Sequence, residues 1–257
     1  MNNNVEIIDY IKHRNLAQLT LCLCIILFSV QTAFAQSPYS LSKSKDIPII
    51  IGETALFGLT IGLNKKSPEL SPDDTIGLDI MNIPAIDRKI VYNWSKRAQR
   101  QSDVLLHTSP IAPLAFPLVA GNNSRKELGV TYVIAFEGML ASYTLTELTK
   151  LIVKRKRPYV YGKSDFRGNL FGKESWKSFF SGHTAFTATN YYMAAKMFND
   201  FYPDSNWRPV VWSTAAIVPA ITAWKRVQGG KHFVTDVVVG YVVGAAVGIL
   251  IPEIHRR

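Results

Sequence analysis

Residues 225–251 read KRVQGGKHFVTDVVVGYVVGAAVGILI. The first part holds Lys225, Arg226, Lys231, His232 and Asp236, whereas 237–251 carries no charge. An uncharged run of this kind approaches the roughly 20 residues that a helix needs to cross a bilayer. Gly240, Gly244 and Gly248 recur at every fourth position, a spacing that lets a second helix approach closely. The stretch therefore predicts a membrane helix with concentrated charge at its mouth.

Five further apolar stretches lie at 47–63, 104–120, 129–148, 184–198 and 209–224. Together they predict an all-α, multi-helix transmembrane bundle with five or six spanning helices. Glu53, Glu137 and Lys196 interrupt three of the stretches, and Pro113 and Pro117 fall within another. These impurities also suit buried helices of a soluble all-helical protein, the alternative architecture. The segment 64–103 is polar, and its part at 86–100 reads as an amphipathic surface helix with Trp94 as an interfacial anchor. No internal repeat or linker divides the body of the chain.

The 257 residues include 29 Lys and Arg against 19 acids, a formal charge of +10 that suits phosphate-bearing partners. Residues 1–35 read as a signal peptide or an N-terminal membrane anchor. Lys12, His13 and Arg14 precede an apolar run, and Ala33-Phe34-Ala35 has the small-x-small form of a cleavage site. Both cysteines, Cys22 and Cys24, lie in this segment, so 36–257 has no thiol nucleophile, disulfide or cysteine metal ligand.

Three clusters carry the chemistry. On a helix His232 and Asp236 share a face, and a carboxylate there can fix the imidazole tautomer and free the other nitrogen to act. Arg226 precedes His232 across Gly229-Gly230, a turn able to bring the guanidinium back towards the ring. Ser181-Gly182-His183 opens an apolar helix, where backbone N–H groups suit a phosphate. Lys150, Lys154, Arg155, Lys156, Arg157 and Lys163 form an acid-free basic run, with Pro158 fixing its exit. Taken singly, each cluster is equally an ordinary cap, surface pair or positive-inside anchor.

In order, the pattern is Lys150, six residues, Arg157-Pro158; then Ser181-Gly182-His183; then Arg226, five residues, His232, three residues, Asp236. This resembles the three-part signature of the type 2 phosphatidic acid phosphatase (PAP2) superfamily, which includes membrane lipid phosphatases, class A acid phosphatases and vanadium haloperoxidases. Three parts in order match far less often by chance than any one of them. Two positions depart from the pattern: Phe180 stands where the family usually has proline, and Lys225 where it usually has serine. Lys225 is expected to add charge near the phosphate.

The resemblance implies a PAP2-type domain over 36–257 and a metal-independent phosphatase without cofactor. His232 would be the nucleophile, oriented by Asp236, with His183 as acid and then base. Lys150, Arg157, Ser181, Gly182 and Arg226 would hold the phosphate oxygens. Converging cations would repel a divalent metal. Implied substrates are phosphorylated lipids: undecaprenyl diphosphate, phosphatidylglycerol phosphate, phosphatidic acid or the lipid A phosphates. Lys154, Arg155 and Lys156 are expected to favour a strongly anionic headgroup. A soluble periplasmic class A-type acid phosphatase acting on small esters is the alternative. A nucleic-acid binder would explain the charge but not two histidines at these spacings. With bacterial topology the expected location is the inner membrane, with the site facing the periplasm.

Overall fold

The computed structural model describes residues 37–119, 125–162 and 170–257. The segment 1–35 and Lys163 of the basic run lie outside the described residues. The described residues form helices α1 (Lys43–Lys65), α2 (Lys96–Thr108), α3 (Ile111–Val119), α4 (Arg125–Val153), the single turn α5 (Pro158–Tyr161), α6 (Gly182–Phe201), α7 (Arg208–Gln228) and α8 (Val234–Ile254). Among them the one β feature is an isolated antiparallel bridge between Tyr39 and Arg256.

Helix α6 is the hub, packed against α2, α3, α4, α7 and α8. Its small and polar side chains are what allow this. Thr184, Ala185, Thr187, Ala188, Thr189 and Asn190 are all fully buried, so neighbouring backbones come close. Several of their polar atoms find partners inside the bundle, as most buried groups do. The Thr189 hydroxyl lies 3.0 Å from Ser142 Oγ and 3.1 Å from the Gly244 carbonyl, and Asn190 Nδ2 donates to Ser109 Oγ at 2.8 Å.

Helix α8 lies along α6 through its glycines. A Cβ would meet backbone oxygen of α6 at 2.6 Å from Gly240, 2.1 Å from Gly244 and 2.5 Å from Gly248. The small-residue stripe read from the sequence is thus the contact face, and Val238, Val242 and Leu250 point outward.

Among the described residues three helices are long and apolar enough to cross a membrane: α1, α4 with its continuation to Tyr161, and α8. Ile47, Ile50, Ile51, Leu59 and Leu63 on α1 are exposed, as lipid-facing side chains would be. Helices α6 and α7, with 20 and 21 residues, have the length but not the apolarity.

The stretch 104–120 is not one helix. It breaks at Ser109-Pro110 into α2 and α3, because Pro110 has no N–H to continue the ladder. Helix α3, at nine residues, rises only about 14 Å. Nor is 86–100 one amphipathic helix: a 3₁₀ turn at Arg88–Tyr92 ends before α2, whose N-cap Ser95 accepts from the Ala98 amide at 3.2 Å.

Helices α4, α6, α7 and α8 are antiparallel in sequence, so the end of α4, the start of α6, the end of α7 and the start of α8 meet at one end of the bundle. The interrupting charges belong to the other end. His255 Nε2 lies 3.2 Å from both Glu137 Oε2 and Asp46 Oδ1, and Lys196 pairs with Asp200 and Glu253.

Gly244→Ala should force α6 and α8 apart and cost about 1–3 kcal/mol, lowering the melting temperature in detergent. Gly58→Ala on α1, where a Cβ meets open space, should leave it unchanged.

Candidate active site

His232 stands at the start of α8, just after a turn that only glycine can make. Gly230 has φ +66°, and a Cβ there would lie 1.9 Å from the Asn93 carbonyl oxygen. The ring is buried at 1% exposure. Its Nδ1 is 2.7 Å from the Ser178 carbonyl, to which it donates. That bond fixes the tautomer and leaves the Nε2 lone pair free, 3.4 Å from Arg157 Nη1.

The direct His232–Asp236 hydrogen bond expected from the sequence is not made. Asp236 Oδ2 lies 3.7 Å from Nδ1. The carboxylate instead reaches back to cap its own helix, accepting from the Phe233 amide at 2.9 Å, from Ser178 Oγ at 2.5 Å and from Arg155 Nη1 at 2.5 Å. It acts on His232 through Ser178, whose hydroxyl it holds and whose carbonyl orients the ring.

The basic run divides by function. Arg155 faces inward, bonding Asp87 at 2.9 Å as well as Asp236, with its guanidinium 4.3 Å from the centre of the Phe233 ring. Lys156 donates to the Asp74 carbonyl at 2.6 Å and lies over Trp176. Neither is presented to a headgroup, contrary to the reading of the run as headgroup ligands. Lys225 likewise turns from the cage: its Nζ lies over Trp224 and donates to Gln228 Oε1 at 3.2 Å.

The remaining signature residues converge. Lys150, Arg157, Arg226 and His183 all act electrostatically on His232. A Cβ on Gly182 would lie 3.2 Å from Lys150 Nζ, so the start of α6 rests against the lysine. Ser181 is the N-cap of α6: its Oγ lies 3.0 Å from Thr184 Oγ1 and its amide donates to the Asp236 carbonyl at 3.0 Å. The hydroxyl read as a phosphate ligand is therefore engaged in the cap. Arg226 Nη1 reaches Ser102 Oγ at 3.3 Å and Asp103 Oδ1 at 3.4 Å, while its Nε is a buried donor without a hydrogen-bond partner among the described residues.

Several groups escaped the sequence reading. Asp103, on α2, accepts from His183 Nε2 at 2.8 Å. Asp87 anchors Arg155. Lys177 and Glu174 pair with each other at 3.0 Å, and Glu174 also holds Arg157 Nη2 at 3.1 Å. These lie outside the three motifs, at no spacing that signals contact.

Burial and crowding of like charge set the titration of the site. Burial first, then Arg157, Arg226 and Lys150, push His232 well below its ordinary value and keep it neutral. Burial pushes His183 down to about 4, opposed by its bond to Asp103. Arg226 is pushed down to about 9 and Lys231 to about 8, in both cases by burial and then by Arg157. The bond from His183 holds Asp103 below the usual carboxylate range.

Residues 131–257, which contain all nine signature positions, match the family model of the PAP2 superfamily. This part of the chain belongs to that superfamily. A lipid A 4'-phosphatase of Porphyromonas gingivalis is 31% identical over 96 residues, covering 37% of this chain and 34% of that protein. The matched part thus spans about a third of the curated relative's length. The crystal structure of a transmembrane PAP2-type phosphatidylglycerolphosphate phosphatase from Bacillus subtilis superposes with a TM-score of 0.51 at 19% identity, covering 79% of this chain and 94% of that one. Its likeness shows the fold, and among the described residues three apolar helices of spanning length support a membrane protein.

In histidine-labelled protein, NMR titration should find His183 changing protonation near pH 4. Asp103→Asn removes the carboxylate that raises this value, so the transition should move further into acid. A shift towards neutrality would contradict the geometry.

Proposed function

We propose that the protein is a lipid phosphatase that cleaves a phosphate monoester or diphosphate by way of a phosphohistidine. The observation that carries this reading is the shape of the space beside the cage. A cleft of about 360 Å³ begins at Lys150, Gly182, His183 and Glu147 and continues between Leu106, Pro110, Tyr143 and Phe186. A phosphate among the cations would have an apolar path for its lipid, which a site for small polar esters does not need.

The chemistry follows from the donors. His232 Nε2 attacks phosphorus while the bond to the leaving oxygen breaks and His183 delivers its proton to that oxygen. Water then attacks the phosphohistidine, giving its proton to His183, and neutral His232 departs. Arg157, Arg226, Lys150 and the N-terminal end of α6 stabilise charge on the equatorial oxygens. The free Nε donor of Arg226 suits one of them. The depressed His232 keeps its lone pair available in mild acid. Protonated His183 is the scarce form at neutral pH, so kcat/KM should rise as pH falls from 7.

The lipid A relative and the phosphatidylglycerolphosphate phosphatase fold direct the substrate panel. Lipid A, phosphatidylglycerol phosphate, phosphatidic acid and undecaprenyl diphosphate should be compared with water-soluble esters in detergent. Phosphate release should be selective for a lipid, persist in EDTA, and fall by at least about 10³-fold in His232→Ala, as expected for loss of a covalent nucleophile. Preference for soluble esters would favour the class A-type activity, and loss in EDTA would overturn the metal-free mechanism.

The site is proposed to face the periplasm of a bacterial inner membrane. Supporting this, Arg125-Lys126, Arg208 and Arg256-Arg257 lie at or near helix ends opposite the site, as positive-inside topology asks. With Cys22 and Cys24 replaced by serine no other cysteine remains, and single thiols then test it. In spheroplasts a membrane-impermeant maleimide should label Met81→Cys at the site end and spare Asp204→Cys until lysis. The reverse pattern would place the site in the cytoplasm.

A further inference from the structure

The cations of the cage are not bare. Asp103 bridges His183 and Arg226, Glu147 lies 2.7 Å from Lys150 and 3.9 Å from Lys177, and Glu174 joins Lys177 to Arg157. Lys177 belongs to none of the signature positions, yet its side chain is only 8% exposed. Such burial of an ammonium demands partners, and among the described residues its two ion-pair partners are these glutamates.

Of the three carboxylates, Glu174 is the odd one. Its side chain is 66% exposed, against 45% for Asp103, which is tied to His183, and 12% for Glu147. It nonetheless presents one oxygen to Arg157 Nη2 at 3.1 Å and the other to Lys177 Nζ at 3.0 Å. Two oxygens on one centre, each on a different cation, is how a phosphate would meet the same pair. The carboxylate also acts electrostatically on Arg226 and Lys231, so it lies within reach of the whole cage.

Arg157 does not depend on that side chain for its position. Its Nε donates to the Glu174 backbone carbonyl at 2.7 Å, its Nη1 to the Lys231 carbonyl at 3.1 Å, and its amide to the Ser175 carbonyl at 2.9 Å. The Lys177 amide likewise donates to the Glu174 carbonyl at 3.1 Å. The main chain at Glu174 therefore builds the site, while among the described residues its carboxylate is held by the two cations and is otherwise exposed to solvent.

We propose that Glu174 is a displaceable stand-in for substrate: in the resting site its carboxylate occupies the place of two phosphate oxygens, and an arriving phosphate expels it and takes both Arg157 and Lys177. Lys177 is thereby a further substrate-binding residue. The inference rests on the phosphatase reading and adds a competitor to it. Burial alone would raise Glu174, but Arg157, Lys177 and Lys150 outweigh it and hold the carboxyl below its usual range. It is thus charged, and competes, at neutral pH.

The test is binding of inorganic phosphate to the full chain in detergent, by calorimetry. Glu174→Gln should tighten phosphate binding by roughly ten-fold, the worth of one charge-assisted contact no longer opposed. Lys177→Met should weaken it by a similar factor in both the wild-type and Glu174→Gln backgrounds. Asp73→Asn removes an acid from the loop at the same end and should leave the constant unchanged, separating displacement from a general gain in positive charge. Glu174→Gln binding phosphate more weakly, or no better than wild type, would make the carboxylate a brace rather than a competitor and overturn the proposal. So would an indifferent Lys177→Met in the Glu174→Gln background, or phosphate bound by none of the variants. Because the assay needs no turnover, it stands apart from the phosphatase reading. A moved constant without lipid dephosphorylation would sink that reading alone, and dephosphorylation with an unmoved constant would sink this one alone.

Discussion

The Asp236 carboxylate, fully buried where α8 begins, is the constraint on which the site depends. One charged group caps the helix through the Phe233 amide, fixes the Ser178 hydroxyl and pairs with Arg155. Its backbone carbonyl takes the Ser181 amide and so ties the start of α8 to the start of α6. The carbonyl that sets the His232 tautomer belongs to the same Ser178. A carboxylate this deep is tolerated because Arg155 neutralises it and Asp87 in turn fixes Arg155. Breaking such a buried set typically costs about 3–5 kcal/mol. The nucleophile's geometry and the helix junction are therefore one arrangement.

Around that anchor the protein accumulates positive charge it does not fully neutralise. Lys150, Arg157 and Arg226 crowd His232, and each opposes its protonation. Arg157 in turn depresses Arg226 and Lys231. The same repulsion that is unfavourable in the resting state is relieved by a phosphate, so it amounts to preorganisation for one kind of ligand. The carboxylates moderate it to different degrees. Asp103 is bound into the acid–base pair with His183, and Glu147 sits one helical turn from Lys150. Glu174 has no such commitment among the described residues beyond its two cations, which is why an incoming anion would compete there first.

Much of this was legible from residue spacing. The three motifs fall at helix ends, and the alternation of apolar stretches between them requires those ends to meet if the helices run antiparallel. The glycines of α8 announced their contact because close backbone approach leaves no other residue possible. What the sequence concealed has two physical sources. Hydropathy describes a helix by its average, and α6 is surrounded by protein, so its threonines and Asn190 lower that average although each is buried. Linear order also carries no direction for a side chain. Arg155 and Arg157 are two residues apart in one basic run, yet one braces Asp236 inside the fold and the other lies beside His232. Asp87, Asp103 and Glu174 reach the site from segments whose distance in sequence bears no relation to their contacts.

The break at Ser109-Pro110 shows how such a hidden feature bears on function. A continuous helix through 104–120 would carry α2 straight past the cage. Instead the chain turns a corner, pinned to the central helix where Asn190 donates to Ser109 Oγ, and α3 departs along a new line. Leu106 and Pro110, one on each side of that break, line the apolar end of the cleft whose polar end holds Lys150 and His183. Opposite them stand Tyr143 on α4 and Phe186 on α6. A substrate with a fixed phosphate and a long apolar tail needs its headgroup among cations and its chain among hydrocarbon within a few ångströms. A corner between two helices beside a ring of helix ends supplies that juxtaposition, and proline provides it where a better helix former would have closed it.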